Sequence, residues 1–183
     1  MPHLISFIRG INVGGHKKIK MADLRELSLD LGFQNPRTLL QSGNVVFEAA
    51  NTDLADIGAR IEAGISRRFG FEAQALLRTP DAFRTTLANH PFDAEQLERG
   101  NHAMIVFLSG TPEKRALAAL VENNSGREAI SAAADALYVF YTDGVARSKL
   151  DSKRIESTLG LAASARNWNT CQRLLKLLTE LEG

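Results

Sequence analysis

The chain has 183 residues, a formal net charge of +1, and a composition that is 44% hydrophobic and 23% charged. This length allows one large domain or two small ones, and the composition excludes a disordered chain, a collagen and a coiled coil. The near-neutral charge provides no overall attraction to nucleic acids or membranes, so an anion site must come from local clustering of basic residues.

Residue usage also bears on location and on metal binding. The single cysteine, Cys171, cannot form an internal disulfide, and no apolar run is long enough to span a bilayer. The N-terminal stretch is typical of a strand rather than a signal peptide. We therefore expect a cytoplasmic protein without a membrane partner. The four histidines are scattered without metal-ligand spacing, so we expect no metal site, and no motif indicates a cofactor.

Hydrophobic spacing predicts a β-α-β-β-α-β order for the first half of the chain. The predicted elements are a strand at 4–9, a helix at 21–31, a hairpin of strands 37–40 and 44–48, a helix from 52 or 53 to 69, and a strand at 74–78. A linking helix is predicted at 79–89. The polar stretch that follows, near residues 93–100, is the best candidate for a domain boundary.

The same order of elements then starts again. The predicted elements are a strand at 102–108, a helix to about 121 with Thr111 as its cap, strands at 128–132 and 136–141, a helix at 150–159, a short strand within 162–168, and a last helix to about 181. The halves show no obvious residue-by-residue identity, so the repeat is one of element order. We predict an α+β fold of two ferredoxin-like (α/β plait) subdomains with antiparallel sheets, divided into residues 1–92 and 93–183.

Three segments carry a family resemblance across essentially the whole chain. They are RGINVGG at residues 9–15 with the basic residues that follow, QSGNVVF at 41–47, and RNW at 166–168 with Thr170. In this order they resemble the bacterial domain of unknown function 1697 family. The resemblance implies two ferredoxin-like subdomains and supplies no catalytic residues. One departure is Ser164, which stands where the family usually has threonine.

The first candidate site is the basic loop, residues 9–20, which contains no acidic residue. Glycines allow backbone N–H groups to point towards an anion, lysines add charge, and the start of the next helix adds a favourable dipole. The spacing matches neither the dinucleotide fingerprint nor the Walker loop. The alternative is a long connection that needs positive φ angles and has solvated lysines. The candidate ligand-binding residues here are Arg9, Gly10, Asn12, Gly14, Gly15, Lys17 and Lys18.

A second candidate is the Arg166, Asn167 and Trp168 segment, whose guanidinium, amide and ring suit a phosphate and a stacked base. The alternative is structural: Asn167 or Asn169 caps the last helix, Trp168 fills the edge of a core, and Arg166 pairs with a local carboxylate. Cys171 is expected to be buried and inert.

A third candidate is Ser42 with Asn44 in the predicted hairpin turn, for which turn formation is the favoured explanation. We expect this hairpin and the basic loop to lie at opposite ends of the sheet, which disfavours a shared pocket. Phe7 and Phe47 occupy positions where RNA-binding plaits stack bases, but core packing is the favoured role for both.

The leading functional hypothesis is a binding module for a phosphorylated small molecule or a nucleotide. Arg9, Lys17, Lys18 and Arg166 would hold the anion, and Trp168 would stack on the ligand. Three alternatives remain open: a nucleic-acid-binding protein, an enzyme of unknown reaction on a phosphate-bearing substrate, and an assembly scaffold. The sequence predicts no catalytic residue and no oligomeric state.

Overall fold

The computed structural model describes residues 1–183, and the chain is an α+β protein with two four-stranded antiparallel sheets and seven helices. Contacts divide it into two compact units, unit 1 from Met1 to Arg84 and unit 2 from Thr85 to Gly183. The boundary falls within one helix, α3 (Pro80–Ala88). The division at 92/93 that the sequence suggests stays a prediction.

Unit 1 has a sheet with strand order β2-β3-β1-β4, in which every neighbouring pair is antiparallel. Asp53 begins its longer helix by accepting a hydrogen bond from the N–H of Asp56, and Gly70 ends the helix in the left-handed conformation. The elements are β1 (His3–Ile8), α1 (Met21–Asp30), β2 (Gln34–Leu39), β3 (Asn44–Glu48), α2 (Leu54–Phe69) and β4 (Ala75–Arg78).

Unit 2 has the corresponding strand order β6-β7-β5-β8, again with antiparallel neighbours. Besides a 3₁₀ turn at Val145–Arg147, its elements are α4 (Ala94–Glu98), β5 (Ala103–Leu108), α5 (Lys114–Glu122), β6 (Ala129–Ala133), β7 (Ala136–Phe140), α6 (Ser152–Leu159), β8 (Ala163–Asn167) and α7 (Trp168–Glu182).

The predicted order of helices and strands is confirmed, with three local differences. The polar stretch near residues 93–100 contains α4, which Asp93 begins through a capping box with Gln96. Strand β2 starts at Gln34 rather than at residue 37. Thr111 is not the cap of α5, because Glu113 occupies the N-cap position and makes no side-chain cap hydrogen bond.

Each unit has an apolar core between its sheet and its helices. In unit 1 the rings of Phe33 and Phe47 stack with centroids 4.4 Å apart, within a cluster that includes Leu24 and Ile61. Phe7 points to the other face of the sheet, where its ring lies 6.1 Å from that of Phe83. Phe7 and Phe47 are fully buried, which confirms the packing role predicted for them.

In unit 1 the second helix is tied to two other elements by residues two positions apart. Arg60 donates a hydrogen bond to the backbone oxygen of Leu31, at the C-terminal end of α1. Glu62 Oε1 accepts a 2.9 Å hydrogen bond from the N–H of Ala75, the first residue of β4. Side chains of α2 therefore supply hydrogen-bond partners to a backbone oxygen at the end of α1 and to a backbone N–H at the start of β4.

Unit 2 repeats both ties. Arg154 donates to the backbone oxygen of Asn123, at the C-terminal end of α5. Glu156 Oε1 accepts from the N–H of Ala163, the first residue of β8, at 2.9 Å. Both pairs belong to the same tripeptide, RIE, at residues 60–62 and 154–156. The halves therefore share a short residue-level repeat that was not obvious from the sequence.

The last strands extend the repeat. Arg78 on β4 pairs in register with Ile5, and Arg166 on β8 pairs with Ile105. Both arginines are buried, and each Nη1 donates 2.8 Å to the carbonyl oxygen of the residue before it. The residue after each arginine, Thr79 or Asn167, caps the following helix. The two units thus share specific side-chain interactions as well as an order of elements.

Replacement of either glutamate by alanine should destabilise the protein. Glu62→Ala and Glu156→Ala each leave a buried strand N–H without its acceptor, which costs about 1–3 kcal/mol. The Glu→Gln variants keep Oε1 and should lose less than about 1 kcal/mol, and Glu122→Ala, at an exposed position, should be nearly neutral. Urea unfolding followed by circular dichroism measures these differences. Equal losses for the alanine and glutamine variants would contradict the role given to Oε1.

Gly43 should tolerate alanine poorly. Its φ is +78°, and a Cβ there would lie 2.9 Å from both Ile11 Cδ1 and the Ile8 oxygen. Gly43→Ala should cost about 2–4 kcal/mol through strain and overpacking. Gly14→Ala is the matched control, because φ is +61° and no atom lies within 4 Å of its Cβ position. It should cost about 1–2 kcal/mol. Equal shifts in the urea midpoint would show that the close packing at Gly43 is unimportant.

Candidate functional site

The basic loop and the β2–β3 hairpin lie at the same end of the first sheet. Strands β1 and β2 both run antiparallel to β3, so they run parallel to each other and their C-terminal ends coincide. The N–H of Ile8 donates 2.9 Å to the Gly43 oxygen, which joins the end of β1 to the hairpin turn. The expectation that loop and hairpin lie at opposite ends was therefore wrong.

Asn12 fixes the basic loop to itself and to the hairpin. Its Nδ2 donates to the Ile19 oxygen at 2.9 Å and to the Gln41 oxygen at 2.7 Å. Its Oδ1 accepts from the N–H of Ile19 at 2.9 Å. Because the side-chain amide is engaged in these three hydrogen bonds, Asn12 shapes the loop and presents little of its own polarity to a ligand.

The glycines of the loop are explained by its backbone path. Gly14 and Gly15 have φ values of +61° and +80° and form a tight turn in which the His16 N–H donates 3.3 Å to the Val13 oxygen. No atom lies within 4 Å of a Cβ built on either glycine. Gly10, at φ +71°, has the same open surroundings. The glycines are thus required for positive φ rather than for close approach of another chain segment.

The lysines of the loop differ in their contacts. Lys17 Nζ donates 2.6 Å to the backbone oxygen of Glu72 and lies 5.8 Å from the centre of the Phe71 ring. Lys18 and Lys20 are exposed and make no such contact. Lys17 therefore anchors the loop to the connection between α2 and β4, and Lys18 and Lys20 are available to a ligand.

A surface pocket of about 530 Å³ opens beside Lys18 and Lys20. It lies at the start of α1, where Lys20 occupies the N-cap position and no side chain caps the helix. The N–H groups of the first turn therefore face outward at the positive end of the helix dipole. We call this cavity the loop pocket; it is lined by Asn12, Gly15, Lys18, Ile19, Lys20, Asp23 and Gln41.

A second cavity, of about 630 Å³, lies on the α2 side of the basic loop. Arg9 and Lys17 contribute two positive charges to its lining, and Glu62 and Glu72 contribute two negative ones. These charges balance, so this cavity attracts an anion less strongly than the loop pocket does. The backbone N–H of Arg9 donates 2.8 Å to the Gln74 oxygen, which holds β1 against the connection to β4.

The hairpin residues have structural partners. Asn44 is fully buried, and its Nδ2 donates to the Leu39 oxygen and to Ser42 Oγ, each at 2.9 Å. These hydrogen bonds close the turn between β2 and β3, as the favoured explanation predicted. Gln41 is the hairpin residue that lines the loop pocket.

The Arg166 segment lies in unit 2, at the end of β8. Arg166 is buried, and its Nη1 donates to Ser164 Oγ at 3.0 Å and to the Ala165 oxygen at 2.8 Å. Burial lowers the pKa of its guanidinium to about 10, and the nearby Cys171 opposes this shift. Burial likewise raises the pKa of the Cys171 thiol to about 12, and Arg166 opposes that shift. Cys171 is fully buried, as predicted.

Asn167 and Trp168 have the structural roles that the alternative explanation proposed. Asn167 Oδ1 caps α7 by accepting a 2.8 Å hydrogen bond from the Thr170 N–H, and its Nδ2 lies 3.3 Å from Asn101 Oδ1. The half-buried Trp168 ring packs edge-on against His90, with centroids 4.6 Å apart. The polar groups of this segment are thus largely engaged within unit 2.

The structure contains no group of three His, Cys, Asp or Glu side chains that could hold a metal ion. No helix has the length and apolar character needed to cross a bilayer.

Four residues that line the loop pocket were missed as ligand-binding candidates: Ile19, Lys20, Asp23 and Gln41. One sequence signal pointed to this pocket. Lys20 precedes the predicted first helix, at the N-cap position that serine, threonine, aspartate or asparagine usually occupies.

Comparison with known proteins gives a family and a fold. A search of curated proteins finds no match. The chain is similar to a solved structure described as "The structure of conserved bacterial protein SP0830 from Streptococcus pneumoniae", with 20% identity, a TM-score of 0.73, and coverage of 97% of this chain and 98% of that one. At this identity the likeness shows the fold alone. The family model described as "Protein of unknown function (DUF1697)" matches residues 1–138, so the chain belongs to the DUF1697 family.

Proposed function

We propose that the loop pocket of unit 1 binds the phosphate group of a small phosphorylated molecule or a nucleotide. The observation that carries the proposal is the uncapped start of α1 at a pocket that Lys18 and Lys20 line. Outward N–H groups, a helix dipole and two flexible cations together favour a compact anion. The volume of about 530 Å³ lies in the range of small-molecule sites, so the remainder of a nucleotide would also fit.

The roles within this site differ from those that the sequence suggested. Lys18 and Lys20 would contact the phosphate, and Lys17 would hold the loop through its contact with Glu72. Asp23 lines the same pocket and would accept a hydrogen bond from a hydroxyl group of the ligand or repel a highly charged one. Participation of Arg9, Arg166, Asn167 and Trp168 stays a prediction from sequence, and the proposal rests on the loop pocket alone.

We also propose that each unit is a ferredoxin-like plait. The β-α-β-β-α-β order and the strand orders β2-β3-β1-β4 and β6-β7-β5-β8 support this assignment. A cytoplasmic location is part of the proposal as well, supported by a single cysteine that is buried and free.

The proposal is tested by thermal shift and calorimetric titration of the full chain. The ligands are inorganic phosphate, nucleotides, sugar phosphates and a short RNA, each at low and moderate salt. A ligand that binds only the folded state at a hundred times its Kd stabilises that state by about 2.7 kcal/mol. We expect one class of small phosphate compound to raise Tm, and we expect this increase to persist at moderate salt.

The variant Lys18→Ala/Lys20→Ala should weaken this binding about tenfold or more, because it removes both cations of the pocket. Lys149→Ala/Lys153→Ala removes the same charge from exposed positions in unit 2 and should bind as the parent does. No response to any phosphate compound, or equal affinity in the two double variants, would reject the proposal. A shift with RNA alone that is lost in salt would favour nucleic-acid binding.

A further inference from the structure

One hydroxyl group in the core of unit 1 has no hydrogen-bond partner in the protein. Ser6 lies within β1, between its register partners Val45 on β3 and Leu77 on β4, and is fully buried. Its Oγ is shielded from solvent, and no protein atom donates a hydrogen bond to it or accepts one from it. Buried polar groups without a protein partner are commonly satisfied by an internal water molecule.

Ser6 lines a small cavity between the sheet of unit 1 and its helices. The cavity leaves about 10 Å³ for the centre of a water molecule, which is close to the space that one water needs. Its polar lining residues are Ser6 and Ser28, and the others are apolar side chains of the core. The cavity is therefore too small for an organic ligand, and its two hydroxyl groups distinguish it from an apolar void, which would stay dry.

Ser28 supplies the second polar group of this cavity from α1. It is buried, and its Oγ donates 2.8 Å to the backbone oxygen of Leu24, one turn earlier in the same helix. This bond uses the only proton of the hydroxyl group, whereas the lone pairs of Ser28 Oγ can still accept. The hydroxyl group of Ser6 can donate and accept. A water molecule, which also donates and accepts, is complementary to this pair.

Unit 2 has apolar residues at both corresponding positions. Val106 corresponds to Ser6, because each follows the isoleucine that pairs with the buried arginine of its unit. Leu120 corresponds to Ser28, because each lies three residues before the C-cap residue whose oxygen accepts from the arginine of the second helix. Val106 and Leu120 are buried in the apolar core of unit 2. The common framework therefore does not require hydroxyl groups here, and the serine pair is a distinguishing property of unit 1.

We propose that unit 1 binds a single internal water molecule between Ser6 and Ser28. The water accepts a hydrogen bond from the hydroxyl group of Ser6 and donates one to Ser28 Oγ. It thereby satisfies the buried hydroxyl group of β1 and links this strand to α1. These are the two elements that the basic loop connects, so the water-mediated contact holds together the part of the core from which that loop extends.

High-resolution crystal structures of the full chain test the site directly. We expect electron density for one water about 2.5–3.0 Å from the Oγ atoms of both Ser6 and Ser28. This density should disappear in Ser6→Ala, because the water then loses one of its two partners. Ser66→Ala, at an exposed position on α2, is the matched control and should retain the water. A dry cavity in the parent chain, or a direct hydrogen bond between the two serines, would overturn the proposal.

Urea unfolding of the same variants distinguishes a bound water from an unpaired hydroxyl group. With a bound water, Ser6→Ala removes its hydrogen bonds and should lower the urea midpoint, whereas removal of an unpaired hydroxyl group would raise it. A shared water also predicts coupling: Ser28→Ala should lower the midpoint of the parent chain and have little further effect in Ser6→Ala. Ser66→Ala should leave the midpoint unchanged. A higher midpoint for Ser6→Ala, or independent effects of the two core substitutions, would contradict the shared water.

Discussion

The second helix of each unit determines where the other elements of that unit can lie. An arginine on this helix binds the end of the preceding helix, and a glutamate two residues later binds the first N–H of the last strand. The isoleucine between them, Ile61 or Ile155, is buried in the core of its unit. One helical turn therefore positions a helix, a strand and the core between them, and this arrangement occurs twice in the chain.

The two units share this framework and differ in their connections. The segment between the first strand and first helix covers residues 9–20 in unit 1 and 109–113 in unit 2. The segment between the third strand and second helix covers 49–53 in unit 1 and 141–151 in unit 2. The basic loop is thus a long connection added to a common scaffold, where binding residues commonly occur. Asn12 gives this loop a defined shape by joining it to the hairpin.

Sequence patterns predicted the elements well because apolar spacing and helix-ending glycines are local signals. Gly70 and Gly160 end α2 and α6 in the left-handed conformation, as their positions after apolar helices indicated. The placement of the hairpin failed for a different reason: it depends on the directions of β1 and β2 relative to β3, which is a property of the whole sheet. The residue repeat was missed because unequal connections change its spacing. Ile5 and Ile105 are 100 positions apart, whereas Arg78 and Arg166 are 88 apart.

The candidate site could be predicted only in part. The basic loop was identified from its lysines and glycines, but local sequence cannot tell that Lys17 binds a backbone oxygen or that Lys18 and Lys20 flank a pocket. Arg166 was predicted to contact a ligand because arginine is rarely buried and an asparagine and a tryptophan follow it in the sequence. In the structure Arg166 is buried. Its burial arises from its place on β8 beneath the start of α7, which is a tertiary property.

The most direct test of the proposed anion site is a ¹⁵N–¹H correlation spectrum of the full chain titrated with inorganic phosphate. The account predicts saturable shifts at the amides of Ala22 and Asp23, in the first turn of α1, and at those of residues 15–20. The amides of the corresponding connection in unit 2, at residues 109–111 and 113, should not move. Uniform small shifts over many exposed lysines, or shifts confined to unit 2, would contradict a phosphate site at the loop pocket.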